Sequence, residues 1–126
     1  GYHIFVFLFA FLMLHLPYAW GLTWNRSAEL QTLSAFFIFI VVWDFLWFII
    51  NPHFGIRKFH PGCATWHKIW LGPAPVDYYG ALVLSFLFHA LSDIAYGTWV
   101  LTVAMFVVLI LCTILLADSL NKFRRS

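Results

Sequence analysis

The chain has 126 residues, 63% of them apolar and 10% charged, with a net charge of +2 and a mean hydropathy of +0.89. A soluble domain of this size has no interior large enough to hide so much apolar surface, so the composition excludes an ordinary soluble fold and points to lipid as the solvent. With so small a charge and no basic run before the last turn, nucleic acid is excluded as a partner.

The first apolar run covers residues 2–22 and contains His15 and Pro17. It follows Gly1 directly, without a basic region or a small-residue cleavage site, and therefore reads as a membrane span rather than a signal peptide. Pro17 frees the carbonyl of Met13 and is expected to bend this span close to His15. A polar segment, 23–31, leads to the second span, 32–50, and each span has the roughly 20 residues needed to cross a hydrocarbon core of about 30 Å. The long connection 51–76 follows, holding four of the five prolines together with Arg57, Lys58 and Lys68. The third span, 77–95, carries Asp77, Ala81, Ser85, His89 and Asp93 at every fourth position, which predicts one polar face and a close helix approach at the small residues. The fourth span, 99–117, is almost uniformly apolar and ends at Asp118.

The expected architecture is an all-α integral membrane protein, a single domain over 1–126 built as a four-transmembrane-helix bundle. In a four-span chain, Arg57, Lys58, Lys68, Lys122, Arg124 and Arg125 fall on one side and only Arg26 on the other. The positive-inside rule then places both termini and the long loop between helices 2 and 3 in the cytoplasm. Trp20, Trp24, Tyr96 and Trp99 lie at the outer ends of the spans and Trp66, Trp70, Tyr78 and Tyr79 near the inner surface, where amphipathic rings collect at headgroup level. The membrane is expected to be a bacterial inner membrane or an organellar one.

Ionisable groups inside a membrane are costly, so each one is a candidate for function. Asp44, in the inner half of the second span, shares a helix stripe with Trp47 or Phe48 and with Asn51, and needs a cationic or donor partner. His3, His53 and Arg57 lie at similar depth, and Asp44 with His53 forms a candidate catalytic pair. In the loop, His60, Cys63 and His67 fall at i, i+3 and i+7, a trio that shares a face if a short helix begins near His60. Imidazole and thiolate suit zinc or iron, and Asp44 or Asp77 is available to complete such a shell. On the outer side, His15 and His89 stand at matching depth in the first and third spans. A pair of imidazoles on facing helices is how bundles hold haem b, and a single one can ligate the magnesium of a chlorophyll-type pigment. For each constellation the competing reading is structural: carboxylates and imidazoles hydrogen-bonded to fix the loop and the helices, with the basic residues touching anionic lipid.

The six histidines form no HxxxH or HxxHH cluster of the membrane di-iron desaturases, and GxSxG, HExxH and P-loop motifs are lacking. Cys63 and Cys112 form no CxxC motif and no disulfide framework. Four short spans without broken helices leave little room for a transport path in one chain. Two readings stand. The favoured one is a non-catalytic subunit or accessory protein of a larger membrane assembly, its aromatic faces packing on other membrane subunits, a second copy, or a pigment, haem or quinone. The alternative is a small membrane enzyme with an Asp/His site, with or without a metal, at the cytoplasmic face, acting on a lipid-like substrate.

Overall fold

The computed structural model describes residues 1–125, with side chains through Leu120, so the basic cluster Lys122, Arg124 and Arg125 lies outside the described side chains. Among the described residues the chain forms four α-helices: α1 (Tyr2–Ala19), α2 (Arg26–Ile50), α3 (Val76–Ala90) and α4 (Tyr96–Arg125). Between α2 and α3 lie one 3-10 turn, Ile56–Lys58, and a two-residue hairpin of β1 (Trp70–Leu71) and β2 (Ala74–Pro75). α1, α2 and the Tyr96–Leu120 part of α4 are long and apolar enough to cross a membrane, the property of an integral membrane protein.

Local chemistry explains where the helices stop. α1 ends at Ala19, earlier than its apolar run, because Gly21 takes φ 103°, a left-handed conformation that lets Gly21 N–H reach the Tyr18 carbonyl and Leu22 N–H that of Pro17. α2 begins at Arg26, six positions before the expected 32. Asn25 caps it by accepting the Ala28 N–H at 2.9 Å, and Glu29 in the first turn complements the helix dipole. Its other end is set by Asn51, whose extended backbone is what a residue before proline prefers. α3 has 15 residues, about 22 Å at 1.5 Å per residue, and stops at Ala90 rather than 95. The expected polar stripe therefore breaks after His89, and Asp93, at φ 60°, belongs to the turn into α4.

α2 is the central helix. It packs most extensively on α3, and also on α4 and α1. The seam with α3 is polar: Ser34 and Ser85, both buried, share a hydrogen bond of 3.0 Å, and Trp99 Nε1 of α4 donates to Ser85 Oγ at 2.9 Å. Such small hydroxyl residues let backbones approach in an apolar solvent, where helices gain little from the hydrophobic effect. Against α1 the contact is aromatic, Phe11 meeting Phe36 and Phe7 meeting Trp43 edge-on at 5.7 and 5.8 Å. α4 has no buried residue along its described length, an apolar surface suited to lipid.

The segment joining α2 to α3 is an ordered cap rather than a loose loop. Phe48, 1% exposed, is its hub, with Phe54, Phe59 and Trp66 at centroid distances of 5.0, 5.1 and 5.9 Å. Ala64 is fully buried beneath it. The hairpin pairs Trp70 with Pro75 and Leu71 with Ala74, leaving Gly72 and Pro73 as the turn. Gly72 has φ 62° and proline cannot follow it there, which selects the turn with a positive φ at its first central position only. This turn aims Val76 and Asp77 into the first turn of α3, directly beside the Asp44 stretch of α2.

Candidate functional site at the Asp44 carboxylate

Asp44 lies six residues before the end of α2, about 9 Å along the helix from Ile50. Its Oδ2 accepts the Tyr78 hydroxyl at 2.5 Å and faces His67 Nε2 at 3.1 Å, while His67 Nδ1 lies 3.4 Å from Asp77 Oδ2. Three separate segments thus converge: α2 supplies Asp44, the cap supplies His67 and the first turn of α3 supplies Asp77 and Tyr78. A carboxylate can only accept, so a ring nitrogen facing Asp44 or Asp77 has to carry the proton. His67 is mostly buried, with its side chain 10% exposed, and Tyr78 is 8% exposed, whereas Asp77 is open to the surface at 78%. The short hydroxyl–carboxylate bond is of the charge-assisted kind and is the strongest contact of the group.

Two cavities meet at Asp44. The larger, about 320 Å³, is walled by Tyr2, His3, Trp43, Trp47 and Trp66. The smaller, about 160 Å³, lies towards Phe7, Ile40, Val41 and Ala81, with His67, Asp77 and Tyr78 on its polar side. A third cavity of about 450 Å³ opens between Val41, Phe45, Phe59 and Ile110 and touches Tyr78 but not Asp44. The first is within the size range of small-molecule sites and matches their usual character, an apolar wall with one placed polar group.

Of the partners expected for Asp44, His3 lines the larger cavity, but His53 and Arg57 line neither Asp44 cavity. His53 is exposed on a turn, where its N–H binds Asn51 Oδ1 and its carbonyl accepts Lys58 Nζ, so Asp44 and His53 do not form a pair. The metal trio does not assemble either. Among the described residues no three histidine, cysteine, aspartate or glutamate side chains are placed to hold a metal. The reason is local. Residues 60–64 form a turn, with Cys63 and Ala64 N–H groups on the His60 carbonyl, and the His60 ring folds back to accept Gly62 N–H at 3.2 Å. His67, meanwhile, is drawn to Asp44 and Asp77.

The outer pair is separated by α2 itself. His15 Nδ1 donates to the Phe11 carbonyl at 2.6 Å and Nε2 meets Glu29 Oε1 at 3.1 Å, with Trp24 Nε1 on the other carboxylate oxygen at 2.9 Å. His89 is fully buried and accepts at Nδ1 from Gln31 Nε2 at 2.6 Å, which leaves its Nε2 to donate to the Ala95 carbonyl at 3.3 Å. Gln31 also donates to Ser92 Oγ at 2.6 Å, the Ser92 hydroxyl donates to the His89 carbonyl, and Ser27 Oγ donates to the Ser92 carbonyl. Glu29 and Gln31 are two positions apart, about 200° around the helix, so His15 and His89 reach α2 from different sides. Every ring nitrogen of the two is engaged by protein, and an iron or magnesium would have to displace one of these bonds.

Tyr78 as the donor to Asp44, and Gln31 and Glu29 as the histidine partners, are not visible in the spacing of the sequence. Only the position of Asp77 and Tyr78 in the first turn after a proline-rich stretch hinted that they could face the end of α2. Compared with protein-family models, curated proteins and solved structures, the chain finds no match.

Proposed function

We propose that the protein is a non-catalytic, four-span membrane subunit that holds the polar head of a lipid-like molecule at Asp44. Both termini and the aromatic cap face the cytoplasm, as Arg57, Lys58 and Lys68 in the cap favour under the positive-inside rule. The observation that carries this reading is Asp44 itself: a carboxylate near the end of an apolar helix, held by Tyr78 and His67 and opening into an aromatic cavity. That is the depth at which headgroups meet acyl chains, and intramembrane ionisable groups mark ligand sites. Binding is favoured over turnover because Tyr78 and His67 are already engaged by Asp44 and, among the described residues, no serine, threonine, cysteine or lysine side chain lines either Asp44 cavity. Other membrane subunits, or a second copy, cover the apolar faces of α1 and α4 in this reading.

A second reading rests on the His67 bridge between two carboxylates, which is acid–base apparatus. In it, Asp44 serves as general base in a small enzyme acting on a lipid-like substrate.

The test is photolabelling in membranes with a lipid carrying a photoreactive group near its head, followed by peptide mapping. Labelling on 43–47 and at Trp66 is expected; labelling spread over α1 and α4 alone refutes the site. Recovery of chemically altered lipid favours the enzyme. Orientation is read from Cys63, which should resist a membrane-impermeant thiol reagent in intact cells and react in inside-out vesicles.

A further inference from the structure

The larger Asp44 cavity combines one carboxylate with an unusual density of π-systems. Trp43 meets His3 edge-on at 5.6 Å and 83° and lies 6.1 Å from Tyr2, and across the cavity Trp47 meets Trp66 at 6.0 Å and 80°. Three tryptophans, a tyrosine and a histidine thus line a cavity of about 320 Å³.

Charge decides the class of occupant. Asp44 and Asp77 bring two negative charges, against which stand His67 between them and His3 in the cavity wall, both imidazoles rather than fixed cations. Among the described residues no lysine or arginine is ion-paired with Asp44 or lines either cavity that it touches. An anionic headgroup would be repelled by the two carboxylates, and a neutral one would leave their charge balanced only by imidazole. A cation answers the carboxylate and is attracted by the negative faces of the rings. Primary ammonium and small metal ions are strongly hydrated and need several acceptors, whereas here only Asp44 offers a charged one. A quaternary ammonium carries no N–H to satisfy and surrenders its weak hydration to aromatic walls.

We infer that the cavity walled by Tyr2, Trp43, Trp47 and Trp66 over Asp44 binds a quaternary ammonium group of the choline type. The inference rests on the lipid-head reading of this site and names the chemistry of the head. That chemistry can arrive as a phosphatidylcholine headgroup or as a free choline-like solute.

The protein, purified in a maltoside detergent, is titrated calorimetrically with choline and with tetramethylammonium, and in parallel with 3,3-dimethylbutan-1-ol, the uncharged isostere of choline. Saturable binding of both cations is expected, with the isostere at least about tenfold weaker. Asp44→Asn should weaken choline at least about tenfold; if that variant fails to fold, Trp66→Leu, at a ring already 45% exposed, carries the test, with Trp66→Phe intermediate. Nanodiscs separate the sources. Choline binding present in phosphatidylglycerol discs and lost in phosphatidylcholine discs assigns the lipid headgroup, and equal binding in both assigns the free solute. An isostere that binds as well as choline overturns the cation inference. Absence of any binding alongside intact headgroup photolabelling at Trp66 also overturns it, while leaving the lipid site in place. Absence of both removes the two together.

Discussion

Replacing Tyr78 by Phe removes one hydroxyl from the Asp44 site and little else. The ring stays stacked on Phe59 at 5.9 Å and edge-on to His67 at 5.5 Å, so packing is kept and the loss isolates the 2.5 Å bond to Asp44 Oδ2. A hydrogen bond to a charged group contributes about 1.5–3 kcal/mol. Asp44 retains His67 and its side chain is 23% exposed, which lets the cavity resolvate part of the charge and places the expected cost near the lower end, about 1.5–2 kcal/mol. Asp44→Asn removes the charge while keeping shape. In a double-mutant cycle the two changes should therefore be strongly non-additive, with a coupling of about 1 kcal/mol or more. The assay is reversible unfolding in mixed micelles of mild detergent and dodecyl sulfate, followed by tryptophan fluorescence. A coupling below roughly 0.5 kcal/mol, the ordinary error of additivity, refutes the claim that Tyr78 holds the Asp44 carboxylate.

Other substitutions test the surrounding frame. Gln31→Leu strands two fully buried acceptors at once, His89 Nδ1 and Ser92 Oγ, and should cost about 2 kcal/mol or more in the same unfolding assay. Gly72→Ala meets no neighbouring atom, so its expected cost of about 1 kcal/mol comes from the left-handed backbone alone; a neutral result would refute the assigned turn. His60→Ala removes only an exposed contact to Gly62 N–H and should leave stability within about 0.5 kcal/mol, whereas a larger loss would restore His60 to a structural or ligating role.

What a span requires is local, a sufficient run of apolar residues, and for α1, α2 and α4 that requirement is visible in the sequence itself. The ends were less legible because they depend on single residues acting through backbone geometry. Gly21 closes α1, Asn25 opens α2 six residues earlier than apolar content suggests, and Asp93 leaves α3 where a four-residue repeat continued on paper. The need of Asp44 for polar partners was likewise legible, since a charge in an apolar run has to be answered by something.

What answers it was not legible. Asp44 is 23 residues from His67 and 34 from Tyr78, and His89 is 58 from Gln31. Spacing along the chain ranks His60, Cys63 and His67 together, yet a tight turn at 60–64 folds the first ring onto its own backbone while two carboxylates claim the last. Matching depth ranks His15 with His89, yet depth says nothing about azimuth, and Glu29 and Gln31 draw them to different sides of α2. Composition and hydropathy determined that three helices are long and apolar enough to cross a membrane and that one of them carries a charge within its apolar run, because those follow from transfer energies summed along the chain. The partners of each polar group were decided only by the tertiary structure, because hydrogen bonds in an apolar medium go to whichever donor the packing of helices and cap brings within about 3 Å.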